Sequence, residues 1–216
     1  MLHLESYTKS KDHIVFDWNG TILNDVDLSL DLVNQLLKAN GIPTINRDQH
    51  RQKFKIPIED YYTDLGFDFS SKSFRELSDT WVKGYGERVG ECGLFEGCRE
   101  LLEGLRDAGK TLSILSAAHE AHIHELLKEY DLDHFFTHVY GLDNTDGASK
   151  VARAEQMLRE KSIAPDKAIM IGDTRHDYDV ACEVGMEIIL LADGHQCYSV
   201  LKDLDCQVFE TRYGAS

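Results

Sequence analysis

Five short apolar segments constrain the fold of this chain more than any other feature of its sequence. Each is continuous rather than alternating with polar residues, which is typical of strands covered on both faces, as in a parallel sheet. They are residues 13–17, 111–116, 138–142, 168–173 and 187–192, with a sixth, weaker segment at 207–210. Helical patterns separate most of them. This alternation, with right-handed crossovers, predicts an α/β fold whose core is a doubly wound, Rossmann-like parallel sheet.

The helices between the later segments show the spacing of a single apolar face. Leu101, Leu105 and Ala108 form one such face, and Gly109 is expected to end this helix. Ser149 is expected to cap the helix that follows it.

The stretch between Asn24 and about Cys92 breaks the alternation because it contains no convincing strand. Helical patterns occupy it instead, at residues 26–37, about 47–54, 58–65 and 72–89. These helices are predicted either to complete a single domain or to form a helical insertion over the carboxyl ends of the strands.

The chain has 216 residues and a formal net charge of −15. Nucleic acids and anionic membranes attract basic surfaces, so this charge argues against both as partners. Five scattered cysteines without a Cys-x-x-Cys pair argue against zinc and fit reduced thiols. The first residues contain no long apolar run typical of a signal peptide or membrane span. We therefore expect a cytoplasmic protein.

Three polar residues close apolar segments at the edge where doubly wound sheets bind ligands, beyond the carboxyl ends of the strands. They are Asp17, Ser116 and Asp173. Asp17 opens the loop Asp-Trp-Asn-Gly-Thr, whose glycine permits a tight turn and whose backbone N–H groups could hold an oxyanion. Alternatively, Asp17 caps the helix that follows.

Asp173 and Asp177 lie four residues apart around the start of a predicted helix. Either carboxylate could cap that helix, because a helix amino terminus favours negative charge. Two carboxylates that face a third from Asp17 are better explained by a hard cation such as Mg²⁺, which prefers oxygen ligands. Ser116 and Lys150 complete the candidate site, although each could be an ordinary strand-end serine or solvated helix lysine.

The order, spacing and strand-end positions of Asp17, Ser116, Lys150, Asp173 and Asp177 resemble those of the haloacid dehalogenase superfamily. The resemblance covers about residues 13–195 and is to the branch with a helical cap after the first motif, near phosphoglycolate phosphatase-like proteins. It implies an α/β core domain at residues 1–23 and 93–216 and a helical cap domain at 24–92. It also implies a Mg²⁺-dependent phosphohydrolase that acts on a small phosphorylated metabolite, as a monomer or small homo-oligomer.

The resemblance also implies a role for each position. Asp17 would attack phosphorus and form an aspartyl-phosphate, and Lys150 would neutralise charge between Asp17 and the phosphoryl group. Asp173 would bind Mg²⁺ directly and Asp177 directly or through water, with Asp17 and the Asn19 carbonyl as further ligands. The groups expected to hold the phosphate are Gly20, Thr21, Ser116, Ala117 and Lys150.

Asn19 departs from the family pattern, which usually has an Asp two residues after the nucleophile. That Asp protonates the leaving oxygen and then activates water, whereas an amide cannot relay a proton. General acid–base catalysis contributes roughly 10²–10⁴-fold, so this loss is serious. His119, His176 and His195 are candidate replacements for the proton relay, because histidine titrates in the right range.

Four interpretations accommodate Asn19. The protein is a phosphatase whose substrate has a good leaving group or whose proton relay lies elsewhere, or it is a slow phosphatase or phosphotransferase with a long-lived aspartyl-phosphate. The third is a carbon–phosphorus hydrolase of the phosphonatase type, which needs a cap lysine such as Lys53 or Lys55. The fourth is a non-catalytic phosphate-binding or regulatory protein. An engineered replacement of Asp by Asn would also account for the residue.

The predicted cap is expected to set specificity by closing over the site and excluding water. The candidates for contact with an anionic or polar part of the substrate are Arg51, Lys53, Lys55, Tyr61 and Tyr62. Trp18 is expected to shape the pocket or to pack under the cap.

Overall fold

A computed structural model describes residues 4–70, 73–142 and 149–212. Within these ranges the strands are β1 (His13–Phe16), β2 (Leu23–Asn24), β3 (Gly93–Leu94), β4 (Thr111–His119), β5 (His138–Leu142), β6 (Ala168–Gly172), β7 (Glu187–Leu191) and β8 (Gln207–Phe209). The α-helices are α1 (Glu5–Thr8), α2 (Val26–Ala39), α3 (Arg47–Lys53), α4 (Ile58–Leu65), α5 (Phe74–Arg88), α6 (Cys98–Asp107), α7 (Glu120–Glu129), α8 (Lys150–Glu160), α9 (Arg175–Val184) and α10 (Tyr198–Leu201). Short 3₁₀ turns occur at Val89–Glu91 and Pro165–Lys167.

Six strands form one parallel sheet in the spatial order β5-β4-β1-β6-β7-β8. β1 lies in the middle, where Phe16 is paired with Ile114 of β4 on one side and with Ile171 of β6 on the other. The chain builds the sheet outward from β1 in one direction and then, from β6 onward, in the other. The doubly wound α/β fold is therefore confirmed, and its ligand-binding crevice is expected beside β1 and β6.

Hydrophobic clusters cover both faces of this sheet. Ile14 and Phe16 of β1 pack into one cluster, whereas Val15 packs into the other. This two-sided burial is the reason that the strand segments of the sequence are continuously apolar.

The helices α2 to α5 have an apolar cluster of their own. Its buried members include Val33, Leu37, Tyr61, Tyr62 and Leu77. The segment leaves and re-enters the rest of the chain through a small antiparallel ladder, in which Leu23 pairs with Leu94 and Asn24 with Gly93. No sequence pattern indicates this ladder, because each of its strands has only two residues. The division at residues 24 and 92 stays a prediction, which the position of the ladder supports.

Helix positions agree closely with the sequence patterns. Ser149 caps α8 as predicted, since its side chain accepts a hydrogen bond from the N–H of Ala152. β4 is longer than predicted: Ser116 does not end it, because pairing with β5 resumes at His119 after an irregularity in register. All five cysteines are free thiols. No helix in the described part of the chain is long and apolar enough to span a bilayer.

Candidate active site

Three carboxylates converge where the strand order reverses. Asp17 directly follows β1, and its N–H donates to the carbonyl of Ile171 at 2.9 Å. Asp173 directly follows β6, and Asp177 lies in the first turn of α9. One oxygen from each carboxylate lies within 4.8 Å of the other two, and all three residues are buried. The fold thus brings together the three acidic residues that the sequence singles out.

Close backbone approach makes this convergence possible. Gly20 has a φ of +70°, and a Cβ at this position would lie 2.2 Å from Oδ2 of Asp173. A Cβ at Gly172 would lie 2.5 Å from the side chain of Asp177. Any other residue at either position would displace a carboxylate, so glycine is required by the geometry of the site.

Lys150 provides positive charge at the centre of the cluster. Its Nζ donates to Oδ1 of Asp17 and to Oδ1 of Asp177, each at 2.6 Å, and the residue is only 3% exposed. Burial by itself lowers the pKa of Lys150, but Asp17 and Asp177 outweigh it and the net shift is upward. The ammonium group therefore stays charged and fixes one oxygen of Asp17.

Two of the three carboxylates have raised pKa values, because Lys150 alone does not balance the negative charge of the cluster. Burial, with Asp177 beside it, raises the pKa of Asp17 to about 6. Burial and the neighbouring carboxylates raise the pKa of Asp173 to about 8. Burial also raises the pKa of Asp177, but Lys150 outweighs this and the net shift is downward. At neutral pH the cluster therefore retains a proton unless a cation takes its place, and an all-oxygen donor set suits Mg²⁺.

Asp177 has the capping role that the sequence offered as one of two alternatives, and its second oxygen stays available to the cluster. Its Oδ2 accepts hydrogen bonds from the N–H groups of Asp173 and Thr174 and from the Thr174 hydroxyl, in a capping box at the start of α9. Its Oδ1 faces Lys150. Asp173 is held differently: it accepts from the N–H of His195 at 2.6 Å and from the Thr21 hydroxyl at 3.1 Å.

The carboxylate cluster lies at the base of a cavity of about 520 Å³. Asp17, Asn19, Ser116, Ala117 and Lys150 all line this cavity. Ser116 is 1% exposed, and its hydroxyl accepts from the N–H of Ala118 at 3.1 Å, which leaves the hydroxyl proton able to donate.

Gly20 and Thr21 are not placed to contact a phosphate in this cavity. The N–H of Gly20 donates to the Leu23 carbonyl and to Oδ1 of Asp25, both at 2.9 Å. The Thr21 hydroxyl donates to Asp173. Instead of the predicted contact with phosphate, both residues make hydrogen bonds that orient acidic side chains.

Asn19 is engaged in a polar network that the sequence did not reveal. Its Nδ2 donates to Oδ2 of Asp25 at 2.8 Å and to the Tyr85 hydroxyl at 2.6 Å. The Tyr85 hydroxyl donates in turn to the same oxygen of Asp25 at 2.8 Å. Asp25 is only 1% exposed, and Tyr85 belongs to α5 of the helical segment. A carboxylate therefore lies next to position 19, although not at it.

Asp25 also binds a histidine that connects the sheet to the helical segment. Nε2 of His195 lies 3.2 Å from Oδ1 of Asp25, and its Nδ1 lies 3.4 Å from Nε2 of His50 in α3. Burial opposes protonation of His195, but Asp25 outweighs it and raises the pKa to about 9. Burial lowers the pKa of His50 to about 3. A protonated His195 that donates to Asp25 and to a neutral His50 satisfies both distances.

All three histidines proposed to replace the missing acid line the cavity, but in different ways. His195 is held by Asp25 and His50. Burial lowers the pKa of His176. Nδ1 of His119 is buried without a hydrogen-bond partner.

Arg51, Lys53 and Lys55 of the helical segment do not line the cavity. Arg51 donates to the Gly194 carbonyl at 2.9 Å and to the Ala192 carbonyl, which holds α3 against the loop after β7. Lys53 donates to the Asp64 carbonyl, and Lys55 pairs with the Asp64 carboxylate at 2.6 Å. Their expected contact with substrate is therefore not supported. Trp18, Tyr61 and Tyr62 do line the cavity.

Arg212 is a further residue that sequence patterns did not identify. Its guanidinium donates to the carbonyls of Thr21 at 2.6 Å and Gly20 at 3.1 Å, and pairs with Asp193 at 2.7 Å. It thereby fixes the loop after β1 from outside the cavity. No local pattern near residue 212 indicates this role, because its partners are distant in sequence.

The model of one protein family, described as haloacid dehalogenase-like hydrolase, matches residues 14–191. This chain belongs to that family. Among curated relatives of this haloacid dehalogenase-like hydrolase, the tyrosine-protein kinase PtkA of Mycobacterium tuberculosis is 24% identical over 87% of the chain. The chain spans only 64% of the length of PtkA. A phosphoglycolate phosphatase from Vibrio parahaemolyticus is 25% identical, over 84% of each protein.

Solved structures agree on the fold of this haloacid dehalogenase-like hydrolase. A hydrolase of the haloacid dehalogenase-like family from Streptococcus pneumoniae superposes with a TM-score of 0.79, at 24% identity and over 93% of each chain. The names of the two curated relatives differ in activity, so they do not by themselves indicate a substrate for this chain.

Proposed function

We propose that this protein is a Mg²⁺-dependent phosphohydrolase that cleaves a small phosphorylated metabolite through an aspartyl-phosphate on Asp17. The observation that carries the proposal is the buried cluster of Asp17, Asp173, Asp177 and Lys150 at the base of the cavity. The name of the Vibrio relative, phosphoglycolate phosphatase, supports a phosphomonoester as substrate.

The side chains present suit in-line transfer of a phosphoryl group. An oxygen of Asp17 forms a bond to phosphorus while the bond from phosphorus to the leaving oxygen breaks. Lys150 orients Asp17 and offsets its charge, and the Ser116 hydroxyl donates to a phosphoryl oxygen. Water then attacks the phosphorus and releases Asp17. Mg²⁺ held by Asp17, Asp173, Asp177 and the Asn19 carbonyl would supply additional neutralisation of phosphate charge.

The segment from residue 24 to 92 acts in this proposal as a cap domain. Its separate apolar cluster and its contacts through His50, Arg51 and Tyr85 support that role. Closure of the cap would exclude water from the cavity. Cytoplasmic location and a monomeric or small homo-oligomeric state remain predictions, the latter measurable by light scattering.

The phosphonatase alternative loses its support. That chemistry needs a lysine that reaches the substrate from the cap, whereas Lys53 and Lys55 bind Asp64 outside the cavity. Asn19 still favours a second candidate, a phosphate-binding protein with little turnover, because an amide cannot relay the proton that an ordinary leaving group requires.

The proposal is tested by phosphate release from a panel of phosphomonoesters with Mg²⁺. Asp17→Asn should abolish release, whereas Asp12→Asn, which changes an exposed residue just before β1, should not. Intact-protein mass spectrometry after rapid acid quenching should detect one added phosphoryl group in the unmodified protein. Phosphate binding without release of phosphate from any ester would instead support the phosphate-binding protein.

A further inference from the structure

The cavity lining has two chemically different parts. Its base contains the charged and hydroxyl groups of Asp17, Ser116 and Lys150. The wall supplied by the helical segment is mainly aromatic and aliphatic, and from it the Tyr85 hydroxyl reaches Asn19. The residues that form this apolar wall are Phe54, Ile56, Phe74, Trp81, Val82 and Tyr85. Trp81 and Tyr85 stack with their ring centroids 4.8 Å apart, which holds the two aromatic rings of this wall against each other.

The apolar wall has no positive charge with which to bind a second anionic group. Among the described residues, Lys150 is the only lysine or arginine that lines the cavity, and its Nζ already binds two carboxylates. Of the described histidines that line the cavity, His50 belongs to the helical segment, but burial lowers its pKa to about 3 and it stays neutral. His195 stacks on Phe54, but its charge is paired with Asp25. A carboxylate on the organic part of a substrate would therefore lose water without gaining a partner, which is strongly unfavourable.

Two residues of the apolar wall are also exposed to water. Ile56 is 40% exposed and Val82 is 56% exposed, and these are two of the four large hydrophobic residues that stand out as exposed in the described part of the chain. An apolar ligand that covers these two side chains removes their surface from water. Each Å² of apolar surface covered in this way makes the free energy of binding more favourable by about 25 cal/mol.

Asn19 points to the same class of substrate from a different direction. Without an acid at this position, a leaving oxygen that is stable without immediate protonation is favoured. A phenol loses its proton near pH ~10, as tyrosine does, so a phenoxide leaves more readily than an alkoxide.

We propose that the substrate is an aryl phosphomonoester whose organic part is uncharged and packs against the apolar wall. This inference rests on the proposed phosphohydrolase function and deepens it. In the first step the Asp17 oxygen bonds to phosphorus, the bond to the aryl oxygen breaks, and the electron pair leaves as phenoxide, which takes a proton from water. In the second step water attacks the phosphorus and releases phosphate and Asp17.

A matched pair of esters tests the proposal. With Mg²⁺, kcat/KM for phenyl phosphate should exceed that for 4-carboxyphenyl phosphate at least about tenfold, a difference of ~1.4 kcal/mol. The two leaving groups are similar in acidity, so the comparison isolates the added carboxylate. Equal or higher activity on 4-carboxyphenyl phosphate, or on 2-phosphoglycolate, would overturn the inference and leave the phosphohydrolase function intact.

A binding measurement decides the inference even without turnover. Calorimetry with Mg²⁺ should show tighter binding of benzylphosphonate than of 4-carboxybenzylphosphonate, neither of which can be hydrolysed. Equal binding, or tighter binding of the carboxylated compound, would contradict the proposed substrate class. Absence of turnover on every ester would reject the phosphohydrolase function separately.

Substitutions on the apolar wall provide the second test. Val82→Lys and Ile56→Lys should each reduce the preference for phenyl phosphate at least about threefold, or ~0.7 kcal/mol, by giving the carboxylate a partner. Tyr198→Lys is the matched control, because Tyr198 is also 40% exposed but lies outside the cavity. An equal loss on both esters would indicate mere structural damage and contradict a role in specificity.

Discussion

Nδ2 of Asn19 donates a 2.8 Å hydrogen bond to Oδ2 of the buried carboxylate of Asp25. The network around this bond has an amide at position 19 and a carboxylate at position 25, and the Tyr85 hydroxyl contacts both. Asn19 is thus matched to its surroundings, and its replacement by Asp would bring two carboxylates into direct contact.

The single variant Asn19→Asp should lower the free energy of unfolding by about 1–3 kcal/mol, because it replaces a hydrogen-bond donor by a second acceptor in a buried site. Urea unfolding at neutral pH measures this. The double variant Asn19→Asp/Asp25→Asn restores one amide and one carboxylate, but it also removes the carboxylate that pairs with His195, so Asp25→Asn alone is its reference. Made in the Asp25→Asn background, the Asn19→Asp change should cost much less stability than it does in the unmodified protein. Equal costs in the two backgrounds would show that the hydrogen bond between positions 19 and 25 is not the determinant.

The same double variant should raise activity on alkyl phosphomonoesters by about 10²-fold, because it puts a proton-relaying group two residues after Asp17. Activity on aryl esters should rise much less. Steady-state kinetics on propyl phosphate and phenyl phosphate provide the comparison. An equal gain on both esters would show that protonation of the leaving group is not the limiting factor.

Lys150→Met should lower the free energy of unfolding by about 3–5 kcal/mol, since it leaves the buried carboxylates of Asp17 and Asp177 without their partner. Urea unfolding without added metal measures the effect. Lys161→Met, at an exposed residue just after α8, should have little effect. A comparably small effect at Lys150 would mean that the carboxylates accept protonation at little cost.

Mg²⁺ should raise the melting temperature and bind more tightly at pH 8 than at pH 6. The pKa of Asp17 is raised to about 6 and that of Asp173 to about 8, so the metal has to displace protons at the lower pH. Calorimetry in buffers of different ionisation enthalpy measures the protons released. Asp173→Asn should abolish binding, whereas Asp131→Asn, in an exposed acidic group, should not. If Mg²⁺ binding released no protons, the metal would bind at a site other than Asp17 and Asp173.

The His195–Asp25 pair should make stability depend on pH. The folded pKa of His195 is raised to about 9 from an ordinary value of 6.5, so its contribution is fully present below pH 6.5 and is lost as the pH rises through 9. The loss is roughly 3 kcal/mol. Chemical unfolding between pH 6 and pH 9.5 in saturating Mg²⁺ should show this decline, and His195→Gln should flatten it. If the unfolding free energy of His195→Gln fell with pH as steeply as that of the unmodified protein, other groups would be responsible for the decline.

The sequence predicted the fold and most of the helices well, because apolar continuity and helical spacing are local properties. The sequence was less informative about the hydrogen-bond partners of individual side chains. Arg51 is basic and lies in the helical segment, which favours contact with an anionic substrate, yet its guanidinium binds backbone carbonyls of Ala192 and Gly194. Thr21 belongs to the first motif, yet its hydroxyl binds Asp173. Neither partner is visible in the local sequence.

Local sequence patterns are enough to predict a parallel sheet with Asp17 and Asp173 at one edge, because each carboxylate directly follows a segment that must be buried on both faces. The surroundings of Asn19, by contrast, follow only from the tertiary packing. Its partner Tyr85 is 66 residues away, and Asp25 meets His195 across 170 residues. Such contacts depend on how the helical segment packs over the sheet edge, which no local periodicity records. The same packing created the apolar wall and left Lys150 as the only described lysine or arginine lining the cavity.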